Sequence, residues 1–109
     1  MARGFELVHP ELLSFMDQIR LFASATVVAG EGGSGLHGTV FSEQGAVTLE
    51  LRPPSYNALG QPAIALLQRH TFASVTGVLA PALGEEGDPW GPWTLGLEEV
   101  EKRLAELGL

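Results

Sequence analysis

A chain of 109 residues has room for one domain, and a hydrophobic content of 45% is enough to give that domain a core. A net charge of -7 leaves no basic footprint for a nucleic-acid backbone and opposes adsorption to an anionic membrane surface. Cysteine is absent, which excludes disulfides, zinc–thiolate sites and thiol nucleophiles. No apolar run approaches the roughly 20 residues of a membrane span, and MARGFELVHPE lacks the apolar core of a signal peptide. The expectation is a cytoplasmic protein with no membrane insertion, no metal and no cofactor.

The first predicted element is a short strand at Phe5–Val8, stopped by His9 and Pro10. Ser14 with Asp17 three residues on resembles a capping box. Phe15, Ile19 and Phe22 then recur at helical spacing, which predicts a helix over about 15–24. Thr26–Ala29 reads as a second strand, rich in β-branched residues and ending at a glycine cluster. Leu36–Phe41 suits one or two helical turns. Ala46–Leu51 is a third strand, closed by Arg52, Pro53 and Pro54.

Pro62 suits the first turn of a further helix, with Ile64 and Leu67 as its apolar stripe. Phe72–Leu79 predicts a fourth strand. Residues 80–93 form a Pro/Gly-rich acidic stretch carrying Trp90 and Trp93. A last helix is predicted over about 95–107, with Glu98–Lys102 and Glu99–Arg103 as i,i+4 pairs and Gly108 as its stop. Strands alternating with helices imply βαβ units and a mostly parallel sheet of about four strands, covered on both faces: a three-layer, Rossmann-like α/β domain spanning 1–109.

The stretch VVAGEGGSGLHGTVF, residues 27–41, carries the most chemistry. Gly30, Gly32, Gly33, Gly35 and Gly38 let the main chain turn sharply and let another molecule approach it. A strand that stops at such a loop is how α/β sheets form ligand crevices. The spacing is neither a dinucleotide fingerprint nor a phosphate-binding P-loop, so a ligand loop and a tight structural turn both fit. Ser34 suits a phosphate oxygen or a helix cap. His37 suits a nucleotide contact, proton transfer near neutral pH, or a plain surface position. Glu50 suits the two hydroxyls of a ribose or a rim charge. Arg52 suits a phosphate or Glu50 itself. Parallel topology brings His37, Glu50, Arg52 and Tyr56 to one rim. Trp90 and Trp93 suit sugar stacking, self-association, or cover for the sheet edge and last helix.

The arrangement resembles the C-terminal domain of glycosyltransferase family 61, which includes capsular-polysaccharide biosynthesis proteins. The family's lead-in of Gln-Ile-x-Leu-Phe-x-x-Ala is matched by Gln18, Ile19, Leu21, Phe22 and Ala25. Its glycine–histidine loop is matched by Gly30, Gly33, Ser34, Leu36, His37 and Phe41. Its strand ending Glu-Leu/Ile-x-Pro is matched by Glu50, Leu51 and Pro53. Two positions depart: Gly32 stands where the family usually has histidine, and Gly38 where it has asparagine. The family's enzymes are several times longer and two-domain, of GT-B type, so the resemblance implies part of one half of such an enzyme, beginning after that half's first strand and helix.

The resemblance implies a nucleotide-sugar-binding domain linked to polysaccharide or glycan biosynthesis and not active alone. Gly30, Gly33, Ser34, Gly35, His37, Glu50 and Arg52 would be its ligand-binding residues, and His37 the sole candidate for catalysis. The alternative is a degenerate glycosyltransferase-like domain kept as a structural or interaction module. The partners expected are a nucleotide sugar and either a chain supplying the missing half or a second copy. A homodimer would form through an edge strand at Phe5–Val8 or through the Trp90–Trp93 stretch.

Overall fold

The computed structural model describes residues 4–54, 58–79 and 93–109. Phe5–Val8 is not a strand. It runs as irregular backbone from Gly4, at φ +76°, to a 3-10 turn at Pro10–Leu12. Phe5 instead packs its ring against the core, while Leu7 is exposed.

Helix α1 covers Phe15–Ser24, and its start is set by Ser14, whose Oγ accepts from the Asp17 N–H at 3.1 Å. The Asp17 carboxylate does not close the box. It pairs with Arg20 one turn on, at 2.9 Å. Strand β1 is Val27–Glu31, β2 is Val47–Arg52 and β3 is Thr71–Thr76. They form a parallel sheet in the order β1-β2-β3, with Val27 opposite Val47 and Val47 opposite Thr71. The connection from β1 to β2 is a 3-10 helix at Ser34–Phe41, and that from β2 to β3 is helix α2 at Gly60–Gln68. The two connections pack against each other, and α1 packs on the 3-10 helix.

The predicted strand Phe72–Leu79 divides in two. Gly77 donates to Arg52 O at 2.8 Å and so completes the β3 edge of the ladder. The chain then leaves the sheet as β4, Val78–Leu79, which pairs antiparallel with β5, Trp93–Thr94. A methyl group at Gly77 would lie 2.3 Å from the Trp93 ring and 2.6 Å from Thr94 O, so only glycine allows the crossing. Trp93 is thus placed against Gly77. Trp90 and Tyr56 lie outside the described residues.

Side chains alternate across the sheet. Leu49 and Val75 meet Leu104 of helix α3, Leu97–Glu106, and Phe5, Leu51, Ala73, Leu95, Val100 and Leu109 pack around them. Thr48, Glu50 and Arg52 point to the other face, beneath the 3-10 helix and α2. Helices on both faces of a parallel sheet make the α/β architecture compatible with a Rossmann-like fold, with three strands in the sheet among the described residues rather than the four expected.

Helix α3 stops as its sequence predicts. Gly108 takes φ +78°, its N–H donates to Ala105 O, and the Leu109 N–H donates to Leu104 O, which is the Schellman arrangement. Arg103 pairs with Glu106 at 3.0 Å rather than with Glu99. Among the described residues no helix is long and apolar enough to cross a membrane.

Candidate functional site

The site is built where β1 and β2 end. The Gly32 N–H donates to Leu51 O at 2.8 Å, so pairing continues one residue past β1. Gly33 then turns the chain with φ +145°, open to glycine and strained for other residues. Ser34 is the first residue of the 3-10 helix that follows. Leu36 of this helix folds back over Gly30, where a methyl group would lie 2.9 Å from Cδ2. Gly38 is more constrained: a methyl group there would meet the Phe22 ring at 2.2–2.7 Å. Gly35 faces open space, with nothing within 4 Å of where a methyl group would sit. Two of these glycines therefore serve packing, one serves the turn, and Gly35 leaves its main chain open to approach.

His37 is exposed and reaches from the 3-10 helix to the start of α2. Its Nε2 lies 3.0 Å from where a methyl group at Gly60 would sit. The free N–H groups of a helix's first turn attract negative charge, and a ring N–H of the imidazole beside them is a further donor. On its other side His37 borders a groove of about 220 Å³ between α1 and the 3-10 helix. Phe15, Gln18, Ile19, Phe22, Gly38 and Phe41 complete its walls, and the Phe15 and Phe41 rings meet edge to face at 6.5 Å.

Glu50 and Arg52 come together, but not as an open rim. Glu50 is 0% exposed, and its Oε1 lies 3.2 Å from Arg52 Nε. Arg52 also donates through Nη2 to Ala58 O at 2.8 Å, which ties the end of β2 to the approach to α2. Burial raises the Glu50 pKa above the ordinary carboxylate value, and the nearby positive charges of Arg52 and His37 oppose that rise.

Around Glu50 lies a buried polar layer that sequence reasoning missed. Gln61 Nε2 donates to Thr39 Oγ1 at 2.6 Å, and both side chains are buried, as is Thr48. Beyond the ion pair with Arg52, neither Glu50 oxygen accepts a hydrogen bond among the described residues; Thr48 Oγ1 and Gln61 Oε1 are also without one. The only linear signal was a Thr-x-Glu alternation in β2, which does not reveal which polar face a crossover will cover. Gly30, Gly33, Ser34, Gly35 and His37 thus line one continuous segment, and His37, Glu50 and Arg52 cluster at the β2–α2 junction.

A protein-family model, Glycosyltransferase 61, matches residues 2–49. The match runs through α1, β1 and the 3-10 helix and stops one residue before Glu50. Over that part the chain is similar to this family and is glycosyltransferase-like. No curated protein and no solved structure matches the chain.

Proposed function

We propose that the chain is a glycosyltransferase-like domain that binds a nucleotide sugar at the ends of β1 and β2, in the service of polysaccharide or glycan synthesis. The observation that carries this reading is the position of His37, exposed, at the first residue of α2 and at the end of the glycine segment. A donor diphosphate would rest against the main-chain N–H groups near Gly35 and Gly60, with His37 beside it. Arg52 contributes positive charge from below while it holds Glu50. Sugar transfer also needs a base on the acceptor hydroxyl. In this reading a partner chain or further domain supplies that base, and the domain alone binds without transferring.

Calorimetric titration with UDP-, GDP- and CDP-sugars tests the reading. Binding that His37→Ala weakens about tenfold, the loss of one charge-assisted contact, supports it. No heat at millimolar ligand removes it. A second reading, a glycosyltransferase-like domain kept as an interaction module, is favoured by one observation: Glu50 is wholly buried and committed to Arg52 instead of facing a ligand.

A further inference from the structure

Among the described residues, β1 is an edge of the sheet with no strand beyond it. In a parallel ladder alternate residues of an edge strand turn both backbone groups toward the neighbour, and the residues between turn theirs away. The Val47 N–H donates to Thr26 O and the Gly32 N–H donates to Leu51 O. These two bonds fix the phase: Thr26, Val28, Gly30 and Gly32 face β2, and Val27, Ala29 and Glu31 face outward. Strand β1 pairs with β2 alone, and among the described residues no backbone partner meets the outward groups of those three. Ala29 and Glu31 are exposed. The usual guards of an edge, a lysine, a proline or a bulge, are missing from VVAGE; Glu31 at one end is the sole charge.

We propose that β1 pairs antiparallel with β1 of a second copy across a two-fold axis at Ala29, joining two three-stranded sheets into one of six strands. The register follows from the outward residues. Ala29 stands opposite Ala29, and Val27 stands opposite Glu31 of the second copy. Each outward N–H then finds an outward C=O. The symmetry keeps the two Glu31 carboxylates at opposite ends of the seam, so no like charges face each other, and the residue on the axis is small. A two-fold contact uses the same patch twice, which this pattern satisfies. The two glycine segments fall at opposite ends of the seam.

Sedimentation equilibrium at tens of micromolar, on the wild type and three variants, tests the seam. The wild type is expected to be a dimer. Ala29→Pro deletes only an outward N–H and leaves the β1–β2 ladder its bonds; losing two symmetric hydrogen bonds weakens the dimer on the order of 30-fold. Ala29→Lys leaves the backbone alone and sets like charges face to face on the axis, weakening it roughly fivefold. Val27→Lys places an ammonium opposite Glu31 of the second copy, and the dimer holds or tightens. A monomeric wild type overturns the proposal, including one that only captures a strand from another protein. So does a dimer indifferent to both Ala29 variants, or one that Val27→Lys breaks while circular dichroism shows the fold retained.

Discussion

Among single residues, Gly38, Gly35 and Glu50 separate packing from ligand approach. Gly38→Ala drives a methyl group into the Phe22 ring, and overpacking of this kind costs about 1–3 kcal/mol. Gly35→Ala meets nothing and is expected within about 0.5 kcal/mol of the wild type. Chemical denaturation of the two variants checks the contrast, and adding Phe22→Leu to Gly38→Ala should recover part of the loss. Glu50 is a test by pH. Its folded pKa is raised, so between the unfolded and folded values the native state holds more protons than the unfolded state. Stability from this group is therefore greatest below the unfolded carboxylate value, falls as pH rises through the folded value, and is flat above it. Glu50→Gln removes that dependence and keeps an oxygen for Arg52 Nε. Its melting temperature relative to the wild type should thus rise from pH 4 toward pH 7; a relative fall over that range contradicts the burial of an unsolvated carboxylate.

At the scale of elements, two helix ends give opposite predictions. Ser14→Ala removes the oxygen that caps α1 and should cost about 1 kcal/mol. Arg69 ends α2 in the left-handed region at φ 58°, a conformation that glycine takes without penalty. Arg69→Gly should stabilise by about 0.5–1 kcal/mol, the relieved strain less the added freedom of the unfolded chain. Thermal melts decide both. These helix ends were legible in different degrees. Ser14 and Gly108 announced theirs, because caps act within four residues. The cores of β1, β2 and β3 were legible as β-branched apolar runs. The end of β3 was not, because Gly77 is needed for a ring sixteen positions away at Trp93. Phe5–Val8 looked like a strand because a short apolar run does not say whether it will pair or plug. The glycine segment and His37 were legible as a turn with an imidazole. The burial of Glu50 was not, since it depends on where two crossovers lie across the sheet.

For the molecule as a whole, the proposed ligand chemistry falls at one end of a small parallel sheet and the proposed self-association along one edge. The two are separable: Ala29→Lys should alter the mass in solution and leave ligand affinity unchanged, because β1's outward edge and the crevice share no side chain. The polar layer of Thr39, Thr48, Glu50 and Gln61 lies between sheet and crossovers. The most direct test of nucleotide-sugar binding at the ends of β1 and β2 is an amide NMR titration of the chain with a UDP-, GDP- or CDP-sugar. The expected shifts are confined to Gly30–Gly38, Arg52 and the first turn of α2 from Gly60, with the α3 face unmoved. Shifts scattered over α3, or none at millimolar nucleotide sugar, would contradict it.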